Sequence, residues 1–174
     1  MKVCFCGLGS IGKRHLRNIT RIAPEFGVTL TIHALRKTAR ALDESISGLI
    51  ARQIVDERGL DRDYNIVFIT NPTHLHLETM KTMADRTQNM FIEKPVSEGR
   101  DVVETLTLGK KGVYYVAGPL RYSPVIHKLR ELIGGQRVYS VRAICSSYLP
   151  DWRPGDYRQT YSAKREWGGG VDID

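Results

Sequence analysis

Apolar residues fall into short runs separated by stretches of helical periodicity. Lys2 to Cys6 predicts a first strand. Ile11, His15, Leu16, Ile19 and Ile22 then recur at helical spacing as far as Pro24, which predicts a helix. Val28 to Leu35 is rich in β-branched and apolar residues and predicts a second strand. Thr38 to Arg52 predicts a second helix, and Gln53 to Asp56 a short third strand. Asn65 to Thr70 is a fourth strand broken by Asn71-Pro72, with Leu75, Leu77, Met80 and Met83 marking the helix beyond it. Asn89 to Ile92 is the fifth strand, Val102, Val103, Leu106 and Leu108 support another helix, and Val113 to Ala117 is the sixth strand. Strands and helices alternating at this pace imply an α/β fold, a parallel sheet covered on both faces.

After Pro119 the pattern changes. Pro124 to Ile133 predicts a helix and Arg137 to Ser146 a strand of alternating character, followed by an aromatic and glycine-rich stretch. We place a domain boundary near residue 120, giving a first domain over 1–120 and a second segment over 121–174. That segment is short for an independent domain unless it packs on the first or on a second subunit.

At 41% hydrophobic content the chain can build a core. Its apolar runs are too short to cross a bilayer or to act as a signal peptide, so no membrane partner is expected and the cytoplasm is the default location. The charge of +7 arises from 26 basic residues spread along the chain without a long block. Such a distribution points away from nucleic acid and suits small anionic ligands. Cys4 and Cys6 share a strand face and Cys145 lies far away, a pattern of structural thiols rather than of a disulfide framework.

Two motifs carry the chemistry. Gly7-Leu8-Gly9-Ser10-Ile11-Gly12 follows a predicted strand and opens a predicted helix, the setting in which glycines let the backbone approach a pyrophosphate. Gly7, Gly9, Ser10, Ile11 and Gly12 are therefore candidate dinucleotide contacts; otherwise the glycines serve only tight packing. Far downstream, Glu93-Lys94-Pro95 closes the fifth strand. A lysine at such a strand end can hydrogen-bond a reacting oxygen and stabilise charge on it during hydride transfer, or it can simply pair with Glu93. An acid about twenty residues past the glycines usually reads the adenosine ribose. Arg36 and Lys37 occupy that place here, so NADP is expected over NAD. Asn71, Thr73 and His76 are candidate neighbours of the nicotinamide ribose, with Thr73 equally suited to capping the helix. His74 and His76 lack a convincing third ligand, so no metal is expected. Trp152, Arg153, Tyr157, Arg158 and Tyr161 mix aromatic and charged groups that suit a polyhydroxylated or anionic substrate, an exposed loop or a subunit interface.

These motifs, with Arg121-Tyr122 and the stretch from Trp167 to Asp174, resemble the Gfo/Idh/MocA family of oxidoreductases along the whole chain. The resemblance implies an N-terminal Rossmann domain, a C-terminal domain on a largely antiparallel sheet, and NAD(P)-dependent oxidation or reduction of sugars or cyclitols. It implies that Glu93 and Lys94, of the family's EKP motif, lie against the cofactor, often with Lys94-Pro95 cis, that Lys94 and Asp174 are catalytic, and that Arg121 and Tyr122 meet substrate, as Arg153 and Tyr157 are expected to from their chemistry. The stretch from Tyr148 to Asp174 is also similar to members associated with surface-polysaccharide or sialic-acid-like sugars. In the family, the aspartate matching Asp174 is followed closely by the histidine that usually acts as acid or base, whereas this sequence stops at Asp174. A truncated member is therefore expected, with an incomplete α+β second domain. It would bind cofactor, turn over weakly or not at all, and self-associate as a homo-oligomer. The alternative is a non-catalytic dinucleotide-binding regulatory or partner-binding module.

Overall fold

The computed structural model describes residues 1–97, 106–109, 111–152, 154–167 and 169–170. Six parallel strands are laid out in the order β3-β2-β1-β4-β5-β6. They are β1 (Lys2–Cys6), β2 (Thr31–Leu35), β3 (Arg52–Ile54), β4 (Ile66–Ile69), β5 (Asn89–Ile92) and β6 (Val113–Val116). Chain order reverses between β1 and β4, and the crevice outside their carboxyl ends is where open α/β sheets bind ligands.

Alternation along the central strands sorts the core into two layers. Val3 and Phe5 join Ile32, Phe68 and Leu16 of helix α1 (Ser10–Ile22), together with Ile46 of helix α2 (Glu44–Ser47). Cys4, Cys6, Val67, Ile69, Met90 and Ile92 face the other way, onto Met80 and Met83 of helix α3 (His76–Met83). With apolar side chains on both faces, the central strands read as continuous hydrophobic runs, which is why their limits are visible in the sequence. Parallel register places Phe5 opposite Phe68, Phe68 opposite Phe91 and Phe91 opposite Tyr115. Their rings form a row with centroid spacings of 4.5, 5.2 and 5.6 Å.

Two expected elements differ. The helix over Thr38 to Arg52 is reduced to α2, whose start is capped by Asp43 accepting from the Ser45 amide at 3.0 Å. Serines propagate a helix poorly, and by Ala51 the backbone already donates to Ile32 in the sheet. The expected strand over Arg137 to Ser146 pairs with no other strand among the described residues; 137–148 carry no regular structure and are exposed. Alternation alone does not hold a strand without a neighbouring ladder. The expected helix around Val102 and Val103 falls largely outside the described residues, while Leu106 and Leu108 pack against the α3-side core. Helix α4 (Pro124–Ile133) forms as expected, with Val125, Leu129 and Leu132 exposed. Among the described residues, no helix is long and apolar enough to cross a membrane.

Candidate functional site

At the end of β1 the chain turns through Gly7 at φ +99°, a left-handed conformation that favours glycine. A Cβ there would lie 2.7 Å from the Asn71 amide nitrogen, so the turn rests directly on the chain leaving β4. Gly12 is tighter still: its Cβ would stand 2.4 Å from the Gly7 carbonyl oxygen and 2.9 Å from Thr70 Oγ1, which itself donates to Gly7 O at 2.7 Å. Gly9 is different, with nothing within 4 Å of where a Cβ would be. Helix α1 starts immediately afterwards, with no side-chain cap and no acid in its first turn. Its first amides and the positive end of its dipole are thus suited to an anion.

A crevice of about 660 Å³ opens between this loop and the chain leaving β4 and β5. That size suits a small-molecule or cofactor site. Of the predicted residues, the structure brings Gly7, Gly9, Ser10 and Ile11 to one wall and Asn71, Thr73, His76, Glu93 and Lys94 to the other. Gly12 supports the loop from behind. Arg14, to which the sequence pattern assigns no role, also lines the crevice, as do Trp152, Tyr161 and Ser162 from the aromatic stretch. That stretch is tied to the chain after β4, where Trp167 O lies 3.2 Å from His74 Nδ1.

Beneath Lys94 the polar groups are interlocked. Buried Glu93 meets His15 Nε2 of α1 at 2.6 Å through Oε1, and accepts from the Lys94 amide at 3.2 Å through Oε2. Burial pushes the Glu93 carboxyl up, but the His15 bond and charge and the Lys94 amide together outweigh it, and the group titrates below the ordinary range. Lys94-Pro95 is cis, as the resemblance implied. Pro95 O lies 2.9 Å from His76 Nδ1, and the other ring nitrogen of His76 faces Asn71 O at 2.8 Å. His76 therefore ties two loop backbones together at the crevice wall. Thr73 is buried and gives no side-chain cap to the helix that follows.

Other predicted residues lie elsewhere. Arg36, just past β2, donates from Nη1 to Arg40 O and to Gln53 Oε1, and with Lys37 is not among the crevice-lining residues. Arg121 stacks over the Tyr115 ring at 5.7 Å and Tyr122 bonds the Tyr115 hydroxyl at 2.7 Å, away from the lining. Tyr157 lines a small adjoining cleft with Leu149, Trp152, Thr160 and Ser162. Arg153 and Asp174 lie outside the described residues. Among the described residues no cluster of three or more potential metal ligands occurs.

Burial lowers the pKa of both His33 and His76. A histidine whose folded pKa is depressed binds fewer protons folded than unfolded, so its stabilising contribution is complete above its ordinary pKa and is lost as pH falls. The slope is at most about 1.4 kcal/mol per pH unit for each. Urea unfolding at pH 7.5 and 5.5 should show lower stability at 5.5; equal or higher stability would contradict the burial argument. The depressed acids Asp61 and Glu93 change little in this window, which lies above the ordinary carboxylate range.

The residues fit a nicotinamide dinucleotide. The Gly9 gap leaves room for a pyrophosphate at the start of α1, and Asn71, on the opposite wall, has a buried Oδ1 with no hydrogen-bond partner while its Nδ2 donates to Thr79. Comparison with known proteins agrees. Residues 1–116 match the Gfo/Idh/MocA oxidoreductase family, NAD-binding Rossmann fold. The chain is 33% identical over 134 residues to the uncharacterized oxidoreductase YrbE of Bacillus subtilis (strain 168), an overlap covering 73% of this chain and 38% of that protein. Apo scyllo-inositol dehydrogenase from Lactobacillus casei superposes with a TM-score of 0.60 at 21% identity, over 76% of this chain and 41% of that one. Levoglucosan dehydrogenase in complex with NADH and levoglucosan gives 0.61 at 22% identity, over 76% and 39%. The WlbA dehydrogenase from Thermus thermophilus, in complex with NAD and α-ketoglutarate, gives 0.62 at 23%, over 79% and 48%. At these identities the solved structures speak to fold alone, and the matched region spans less than half the length of each of these proteins. The chain belongs to the Gfo/Idh/MocA family of oxidoreductases, with its NAD-binding Rossmann fold in residues 1–116.

Proposed function

We infer that the chain binds a nicotinamide dinucleotide and serves hydride transfer between it and a sugar, cyclitol or sugar derivative. The observation that carries this reading is the meeting of the glycine loop, Asn71 and Lys94 around one crevice at the reversal point of the sheet. When bound, the cofactor supplies the hydride donor or acceptor. The first amides of α1 take the pyrophosphate charge, and Arg14 adds a cation on the same side. Lys94, exposed at the end of β5, donates a hydrogen bond to the reacting oxygen of the substrate and stabilises negative charge there. Trp152 and Tyr161 offer aromatic surface to a sugar ring across the crevice. Inositols and levoglucosan, named for the dehydrogenases with this fold, are the first compounds to try.

Arg36 is the basis for preferring NADP. Its guanidinium stands where a ribose-reading acid is usual, and the Arg40 and Gln53 oxygens hold it beyond the end of β2. A phosphate pairing with it gains charge-assisted hydrogen bonds of about 1.5–3 kcal/mol. Arg36→Ala should therefore weaken NADPH binding by roughly ten- to a hundredfold and leave NADH within about twofold, read by fluorescence titration. Equal affinity of the unmodified chain for both cofactors would remove the NADP preference.

A further inference from the structure

Lys94 sits in a backbone segment held on both sides. Pro95 O, on one side, faces His76 Nδ1 at 2.9 Å, and the second nitrogen of that ring is occupied by Asn71 O, so this anchor reaches back to the chain leaving β4. On the other side, the Glu93 amide donates to Ile69 O at 2.9 Å and the Glu93 carboxylate accepts from the Lys94 amide at 3.2 Å. A buried carboxylate left to itself would rotate toward water or take up a proton. Glu93 is held in place instead: its second oxygen meets His15 Nε2 at 2.6 Å. His15 is fixed in turn by the aromatic row: its ring packs edge-on against Phe91 at 4.8 Å and lies 6.1 Å from Phe68. The helix that opens at the glycine loop is thereby connected, through one hydrogen bond, to the residue whose carboxylate holds the Lys94 amide.

We propose that His15 is a positioning residue, which by holding the Glu93 carboxylate fixes the Lys94 peptide and so sets where the Lys94 ammonium stands in the crevice. The proposal rests on the reading of Lys94 as the group that meets the reacting oxygen, but its test does not depend on turnover. His15 is not among the crevice-lining residues, so its removal should disturb the lysine more than the cofactor cradle. The ring also packs, and the two roles separate by substitution. His15→Phe keeps the aromatic packing and removes the donor, whereas His15→Gln gives up the ring and keeps an amide donor at a similar reach.

The experiment is carbon-13 NMR of the whole chain after reductive methylation of its lysines with labelled formaldehyde, the Lys94 signal being assigned by its loss in Lys94→Arg. In the unmodified chain the Lys94 methyl resonance should stand apart from those of lysines outside the crevice. His15→Phe should shift it toward them, Glu93→Gln should do the same, and His15→Gln should restore it. A Lys94 resonance unchanged in His15→Phe, or shifted equally in His15→Phe and His15→Gln, would overturn the proposal and leave the histidine a packing residue. Glu93→Gln leaves the aromatic row intact and answers the same question if the substitutions at position 15 prevent folding: a Lys94 resonance unmoved by it would overturn the proposal. NADPH titration of the same samples keeps the two questions apart. Intact binding beside a Lys94 resonance that ignores these substitutions would sink only the positioning role, while failure of the unmodified chain to bind would sink the dinucleotide reading.

Discussion

Gly12→Ala should lower the unfolding free energy by up to about 2 kcal/mol and weaken dinucleotide binding at least tenfold. A methyl group on Gly12 would stand 2.4 Å from the Gly7 carbonyl oxygen, a backbone atom that cannot rotate away as a side-chain tip would. Overpacking of this kind costs roughly 1–3 kcal/mol. Alanine regains about 1 kcal/mol over glycine inside a helix, so the clash prevails by a modest margin. Relief requires α1 to move off the loop, and that movement displaces the amides that would meet a pyrophosphate. Gly9→Ala is the informative partner, because its Cβ would meet nothing within 4 Å and its φ of −68° suits any residue. Its stability should change by less than about 0.5 kcal/mol. Binding should still suffer, since the new methyl occupies the space left for the ligand. Chemical unfolding and NADPH titration of the two variants separate these effects. Unimpaired binding in Gly9→Ala would mean that the loop is only a tight turn.

Lys94→Ala should reduce kcat by about 10²–10³-fold in a chain that turns over a sugar substrate, with cofactor affinity changed by less than about threefold. The lysine acts on charge that develops at the reacting oxygen, so its removal should raise the barrier more than it weakens binding. Lys94→Arg keeps the charge but spreads it over a planar fork of different reach, and should recover only part of the loss. Steady-state kinetics with cofactor held saturating would decide the matter. Turnover unaffected by Lys94→Ala would refute the assignment, whatever the cofactor affinity.

The parts of this site that were legible in the sequence are those where chemistry dictates residue type. The glycines are demanded by the turn at Gly7 and the close approach at Gly12, and Lys94 follows a short apolar run on the β4 side of the sheet, so loop and strand end could both be placed from the sequence. The His15–Glu93 bond was not legible. His15 read as one more position on an apolar helix face, and only the register that sets Phe68 beside Phe91 brings its ring to Glu93. The same is true of Arg14, whose presence in the crevice depends on how separate segments cross. Thr38 to Arg52 carries a helical apolar period without forming a helix throughout, because its apolar residues pack on the sheet from a mostly irregular backbone: Leu42, Leu49 and Ile50 all lie against the α1-side core. Arg137 to Ser146 shows the converse, an alternating pattern without a paired neighbour among the described residues.

The most direct test of the account is calorimetric titration of the purified 174-residue chain with NADPH, repeated with Gly9→Ala. The expected result is saturable binding at one site per chain, weakened at least tenfold by the added methyl. No binding of NADPH or NADH to the folded chain, or binding indifferent to Gly9→Ala, would contradict the claim that this crevice is a nicotinamide dinucleotide site.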